Sequence, residues 1–511
     1  MKITFLLHFY QPHNQQADIL DRIVNESYRP LINGFLANPR AKVVVNINGA
    51  LSQLLRDGKY YDVLEGLEEL AKRGQIEYTG SGMYHAFLPL LPEEEILRQI
   101  EQNERTNSRL LGESYQPKGF FSPEMAINEK VLKTVSRLEY KWLPVPELAQ
   151  SRDMPSPDRF YKHNKTDLRV FFRHKRVSTL VLSSVVRDAT SLIKETQDLV
   201  ATDKYWFCVM DAETFGHHRI GHEKVLLDIL SHEFFEPILI TELLAQKLPT
   251  EKVSLRDCTW TNTEQDFELK GSANSFVLWQ DPQNPIHNLQ WKFVDLVLKL
   301  LKNSRNKNSE QYQKARKLMD SAVSSDQFWW ASVKPWWSLE MVESGAFDLK
   351  EVVRVLKGGS GKTGDDKKAD KMYRAILDQA FAWQRSGVIR KKHLENSATF
   401  MKESFKKRAP SEWYNQIILE FTDEMNRAAQ KREFEKAVKW RDAILKLDQG
   451  TDIYDVLHVV DELWSARQVP SVKPFLEHEW EELSEFAKQY LRDATSKDQF
   501  EEWKKRKKNQ I

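Results

Sequence analysis

The sequence predicts an α/β fold in its first half, with strands joined by helices, followed by an α-helical domain. Three observations carry this. Short β-rich apolar runs alternate with amphipathic stretches up to about residue 280; β-branched runs then cease; helical patterns rich in Leu, Lys, Glu and Trp continue to the C-terminus. Seven runs read as strands: 3–7, 42–46, 76–79, 119–122, 140–144, 168–172 and 205–210. Between them, residues 61–73 put Leu64, Leu67, Leu70 and Ala71 on one face. Residues 92–110 open with Glu93, Glu94 and Glu95 in the first turn, where they suit the helix dipole. Strand-helix-strand order implies parallel strands with right-handed crossovers, closed into a barrel or left open as a doubly wound sheet. Either way, ligands sit at the C-terminal ends of the strands.

In the second half the clearest helical patterns cover 294–301, 314–322, 372–383, 413–429 and 475–491. A run rich in glycine and charge, Lys357 to Lys368, reads as a flexible connector. Its Gly361-Lys362-Thr363 is not a phosphate loop, because the motif needs glycine where Leu356 stands and a buried strand before it. The chain of 511 residues, 41% hydrophobic, exceeds one compact core, so more than one domain is expected. Lys+Arg 76 against Asp+Glu 74 leaves +2, which argues against nucleic acid or an anionic membrane as partner. The basic run 503–508 reads as a solvated tail. With only Cys208 and Cys258 there is no disulfide framework and no cysteine metal cage, and a cytoplasmic setting with reduced thiols fits. The N-terminal apolar run is too short for a signal peptide and reads as a first strand; no apolar stretch is long enough to span a bilayer, and a soluble chain is expected.

Chemistry-bearing residues collect at the predicted strand ends. His8-Phe-Tyr-Gln-Pro closes the first strand and Gly80-Ser-Gly82-Met-Tyr-His85 the third. Glu124 ends the fourth, and Asp211-Ala-Glu213-Thr-Phe-Gly216-His217 ends the seventh. Alone, each carboxylate would serve as a helix cap, His85 as a structural histidine and the Trp cluster as helix core. Two acidic residues, each ending a buried strand, form the kind of pair that cleavage of a glycosidic bond requires.

Taken together, these segments resemble the five sequence regions of glycoside hydrolase family 57, which includes α-amylases, 4-α-glucanotransferases and branching enzymes. The matching segments are His8 to Pro12, Gly74 to His85 with Leu88-Pro-Leu-Leu-Pro92, Phe121-Ser-Pro-Glu124, Asp211 to His217, and Ser325-Asp326-Gln-Phe-Trp-Trp330, with Phe171 to Ser178 as a further match. The resemblance spans roughly residues 1–345. It implies a (β/α)7-type barrel over 1–280 and a helical segment over 281–357 that completes the cleft. A flexible connector over 358–370 and a helical, motif-free C-terminal region over 371–511 would follow. It implies a retaining enzyme acting on α-1,4-glucans, with Glu124 as nucleophile and Asp211 as general acid and base. Substrate contacts would come from His8, Gln11, His85, Arg173, Glu213, His217, Asp326, Trp329 and Trp330, with no cofactor and no metal. Tyr10 stands where the family's first region has its second histidine, so one sugar contact changes or comes from His13. Gln327 replaces an aromatic residue, which would alter stacking in a subsite.

Two other classes compete. Metal-dependent hydrolases and deacetylases of related barrels bind a metal through a first-strand His-x-Asp; here the stretch is His8-Phe9-Tyr10, without the carboxylate. The other is a non-catalytic glucan-binding protein, against which the two intact carboxylates argue.

Overall fold

A computed structural model of the chain describes residues 1–449 apart from 151–153, 183–185, 264, 269–274, 335, 360, 362, 392–404 and 409–410. The predicted helix 475–491 and the basic run 503–508 lie outside the described residues.

The strands are β1 (Lys2–Phe9), β2 (Val43–Ile47), β3 (Ile76–Gly80), β4 (Gly119–Phe120), β5 (Trp142–Pro146), β6 (Phe160–His163), β7 (Arg169–Arg173), β8 (Tyr205–Asp211), β9 (Glu236–Pro237) and β10 (Thr250–Val253). Their order is β10-β6-β7-β5-β4-β3-β2-β1-β8, with β9 beside β1. The seven predicted strands run parallel in the sequence β8-β1-β2-β3-β4-β5-β7. The sheet curls until β7 meets β8 at a seam without a regular ladder. There the His174 N–H donates to Phe207 O at 2.7 Å, and Arg173 Nε donates to Val209 O at 2.9 Å.

Sequence reasoning did not find β6, β9 and β10. β6 folds antiparallel onto β7, and β10 lies parallel to β6 at the sheet's end. Each has four residues or fewer and carries charge, which erases the apolar signal.

Strand periodicity sorts the side chains. In β1, Ile3, Phe5, Leu7 and Phe9 pack against the surrounding helices, as do Trp206, Cys208 and Met210 of β8. The opposite parity fills the barrel with Leu6, Val44, Phe121, Trp142, Phe171, Phe207 and Val209. Continuing that inward row upward, β1 reaches His8 and β8 reaches Asp211, which are register partners. The inward row that fills the barrel with apolar groups therefore ends in polar ones at the strands' C-terminal mouth.

The second half is helical. Pro285–Lys302, Glu310–Ala322, Leu339–Leu356 and Gly364–Ser386 share one apolar core with barrel residues Phe87, Phe120 and Leu143. A buried ion cluster adds to it: Arg316 pairs with both carboxylate oxygens of Glu95, at 2.9 and 2.6 Å, and with Asp320 at 3.1 Å. Arg98 approaches Asp320 from the barrel side. The glycine-rich stretch gives way to helix at Gly364, within the range expected as connector. Thr363 and Asp366 cap each other's backbone N–H, so the acidic residues start a helix. Helices Ser411–Gln430 and Phe434–Gln449 form a hairpin around buried Ile417, Phe421, Trp440 and Leu447. Among the described residues no helix is long and apolar enough to cross a membrane.

Candidate active site

Glu124 lies in the turn after β4, with φ 61° and ψ 17°, and Met125 follows at φ 46°. Left-handed backbone in a non-glycine residue costs about 1–3 kcal/mol and persists only when its surroundings impose it. Here the segment 258–260 does so. Ile127 and Cys258 exchange backbone hydrogen bonds at 2.9 and 3.2 Å, and the Trp260 N–H donates to Glu124 O at 3.2 Å. The Trp260 indole Nε1 donates to Glu124 Oε2 at 2.8 Å.

Beside Glu124 runs a hydrogen-bonded relay. Asn46 Oδ1 accepts from His8 Nδ1 at 2.6 Å, so His8 Nε2 is left to accept from His85 Nε2 at 3.1 Å. His85 Nδ1 then accepts from Ser325 Oγ at 2.9 Å. Only neutral rings satisfy this chain. Burial agrees, pushing His8 down to about 4 and His85 well below the usual imidazole range. His85 Nδ1 is 3.9 Å from Glu124 Oε1, and with a neutral ring this is no ion pair.

Four carboxyl groups share the mouth. Burial raises Glu124 to about 8, against the Trp260 hydrogen bond and with the help of Asp211 and Asp326. Burial lifts Asp211 to about 6, opposed by Arg173. Glu213 is raised further, by burial and by Asp211; its Oε1 accepts from Gln11 Nε2 at 3.2 Å, while the buried Oε2 has no partner among the described residues. Asp326 Oδ2 accepts from Ser324 Oγ at 2.7 Å and from the Tyr10 hydroxyl. Burial thus raises all four, and Arg173 opposes it at Asp211.

Of the sequence-predicted site residues, Glu124, Asp211, His8, His85, Gln11, Glu213, Arg173 and Asp326 converge on this mouth. His217 turns to Glu26, 2.5 Å from its carboxylate. The adjacent Gly216 has φ 110°, and a Cβ there would sit 1.9 Å from Glu26 O, which fixes glycine at that position. Trp329 and Trp330 form a half-buried cluster with Trp336, with ring centroids 5.0 to 6.1 Å apart, following Asp326. Gln327 is buried against Gly345 and donates to Ala322 O at 2.6 Å, so it packs into the helices and does not line a subsite. Tyr10 stacks on His85 at 4.0 Å between centroids, and its hydroxyl ties β1's end to the helical segment. Trp260, Asn46 and Ser325 were not foreseen as site members. Asn46 carried a signal, a polar residue on the inward parity of a buried strand; Trp260 carried none. Among the described residues no three His, Cys, Asp or Glu side chains are grouped to hold a metal ion.

The parallel strands thus carry several carboxyl groups at their C-terminal mouth, where ligands sit in such folds. Residues 5–254 match the model of glycosyl hydrolase family 57, a stretch that takes in the sheet from Phe5 of β1 through β10. The 4-alpha-glucanotransferase of Thermococcus litoralis is 26% identical over 249 residues, 47% of this chain and 37% of that protein. Alpha-amylase 1 of Dictyoglomus thermophilum is 27% identical over 141 residues, 28% of this chain and 20% of the relative. The chain thus spans less than two fifths of the length of these relatives. The solved T. litoralis enzyme superposes with a TM-score of 0.57 at 20% identity, covering 69% of this chain and 60% of that one. The GH57-type branching enzyme of Pyrococcus horikoshii gives 0.56 at 14%, covering 74% and 96%. These structures share the fold. A second model, the UvrB/uvrC motif, matches residues 415–450. That corrects the expectation of a motif-free C-terminal region, and the match falls on the helical hairpin.

Proposed function

We propose that the chain is a retaining glycosidase or transglycosylase acting on α-1,4-glucans, as an amylase or 4-α-glucanotransferase does. One observation carries the reading: Glu124 and Asp211, far apart in sequence, meet at one mouth, since Asp211 is the register partner of His8, His8 bonds His85 at 3.1 Å, and His85 lies 3.9 Å from Glu124. Retaining cleavage needs this pair on either side of a glycosidic bond, one attacking carbon while the other protonates the leaving oxygen. Glu124 Oε1 attacks the anomeric carbon, the glycosidic bond electrons go to the leaving oxygen, and Asp211 supplies its proton. Asp211, held up at about 6, keeps a fraction of its proton near neutrality. Water or a sugar hydroxyl then releases the glycosyl group from Glu124, and acceptor binding decides between hydrolysis and transfer. The unpartnered Glu213 Oε2, with Gln11 and Arg173, suits sugar hydroxyls, and the Trp329–Trp330–Trp336 cluster offers faces for pyranose C–H surfaces. His217, paired with Glu26, would reach sugar only after exchanging that partner. A cytoplasmic setting suits the two buried free thiols.

A second assignment of roles has its own support. Glu124 is raised to about 8 and Asp211 to about 6, with Arg173 favouring the Asp211 anion, an order that suits Asp211 as nucleophile and Glu124 as acid. Against it stands the indole N–H on Glu124, a donor that favours a carboxylate there. Trapping with a 2-deoxy-2-fluoro glucosyl fluoride followed by peptide mapping separates the two, since the label ends on Glu124 or on Asp211. Incubation with maltooligosaccharides and amylose, resolving products by size and linkage, tests the function itself; no change in any glucan would refute it.

A further inference from the structure

We propose that Trp260, outside the family-matched residues 5–254, is a positioning residue that fixes the Glu124 carboxylate for attack. The inference rests on the reading of Glu124 as nucleophile and adds the device that aims it.

The Glu124 backbone is left-handed, and among the described residues no group of the turn Ser122–Met125 hydrogen-bonds its carboxylate. Trp260, 136 positions away along the chain, holds Glu124 at two points: the backbone N–H binds Glu124 O at 3.2 Å and the indole N–H binds Glu124 Oε2 at 2.8 Å. One residue thus sets both the turn and the direction of the carboxylate. Trp260 is in turn held by the Ile127–Cys258 backbone pair and by edge contacts of its ring with Phe121 at 6.0 Å and His8 at 6.2 Å. With Oε2 engaged, Oε1 is the oxygen left for the sugar carbon. It has no hydrogen bond among the described residues, and the side chain keeps 15% of its surface open. A charge-assisted donor to Oε2 favours the ionised form required for attack and restricts rotation of the group.

Trp260→Phe removes the N–H and keeps a ring for the contacts with Phe121 and His8. The expected result is a kcat about 10–100-fold lower with KM within about threefold, for loss of one donor in a buried site. The groups facing Glu124 are His85, Asp211, Asp326 and Tyr10; His85 stays neutral and the Tyr10 phenol protonated across the working range. A glycosyl fluoride, whose leaving group needs no proton, removes the need for acid from Asp211. On that substrate the acidic limb of kcat/KM should move up by about one pH unit in Trp260→Phe. Unchanged melting temperature shows that the variant is folded. A second measurement needs no substrate: the Trp260 indole ¹H–¹⁵N resonance, assigned by its absence in Trp260→Phe, should shift with pH in the wild type and lose that titration in Glu124→Gln. An active wild type whose Trp260→Phe variant keeps both kcat and pH limb overturns the proposal, as does an indole resonance indifferent to Glu124. A wild type inactive on every glucan, with the indole still following Glu124, would refute the proposed function and leave the clamp standing.

Discussion

The barrel mouth and the C-terminal hairpin are built on opposite principles. At the mouth, groups from residue 8 to residue 326 are brought together by the whole fold, and burial raises four carboxyl groups, with Arg173 opposing it at Asp211. In the hairpin, two helices adjacent in sequence bury Phe421 against Trp440 with ring centroids 5.2 Å apart, and their charges stay at the surface. The mouth is held against its own electrostatics by the surrounding core, whereas the hairpin is held by local apolar contact. Damage should therefore spread differently: in the mouth chemistry and stability oppose each other, and in the hairpin neither reaches the other region.

The largest effect should come from Glu124→Gln. Turnover on maltooligosaccharides should fall on the order of 10⁴-fold or more, as for removal of a nucleophile. Stability should move the other way. Glu124 is raised in the folded chain to about 8 from 4.5, so between those values the folded state binds more protons than the unfolded state and unfolding becomes easier as pH rises. The folded chain should thus lose melting temperature from about pH 4.5 to 8, and Glu124→Gln should flatten that decline. A steeper decline in the variant would contradict the burial of this carboxyl group. Asp211→Asn should lose about 10²–10⁴-fold on natural glucans and much less on a glycosyl fluoride. Equal losses on both substrates would assign Asp211 a role other than proton donor.

Next in size is the clamp between the barrel and the helical segment. Arg316 is 7% exposed and serves both Glu95 and Asp320, so Arg316→Met leaves buried carboxylates with less compensation. Such a break costs about 3–5 kcal/mol, measurable by urea denaturation. Because Ser324, Ser325 and Asp326 directly follow the helix Glu310–Ala322, turnover should fall with stability, unlike in Glu124→Gln. Stability lost without turnover would show that the mouth does not depend on this clamp.

What could be read from the sequence follows the same division. The seven parallel strands and the helices over 61–72 and 93–110 announce themselves through apolar runs and periodicity, although the β4 ladder itself covers only Gly119–Phe120 of its run. Glu124, Asp211, His8 and His85 were legible because strand ends carry function in parallel α/β folds. Trp260 was not, because its role depends on a backbone pairing between Ile127 and Cys258 that spans 131 positions and has no local pattern. Tyr10 could be seen as a departure from the family motif, but its partner Asp326, 316 positions away, could not. His217 was expected beside sugar because the motif carries it; its pairing with Glu26 depends on Gly216's left-handed turn, which composition alone does not place. The connector was misjudged in part because glycine content outweighed a reciprocal cap between Thr363 and Asp366.

The smallest effects belong to the hairpin, and they test its independence. Phe421 is fully buried, so Phe421→Ala should destabilise the hairpin by about 3 kcal/mol through lost transfer energy and a cavity. Phe434 is 64% exposed and already hydrated, so Phe434→Ser should change stability by less than about 0.5 kcal/mol. Hydrogen exchange resolved by segment distinguishes a local from a global consequence: Phe421→Ala should speed exchange in residues 411–449 while leaving β1, β2 and β8 as protected as in the wild type. Turnover should be unchanged in both variants, because among the described residues none of the hydrogen bonds at the mouth involves these helices. If Phe421→Ala instead raises exchange in β8 or lowers turnover, the hairpin is coupled to the barrel, and the contrast between a region held by the whole fold and one held by its neighbours fails at that point.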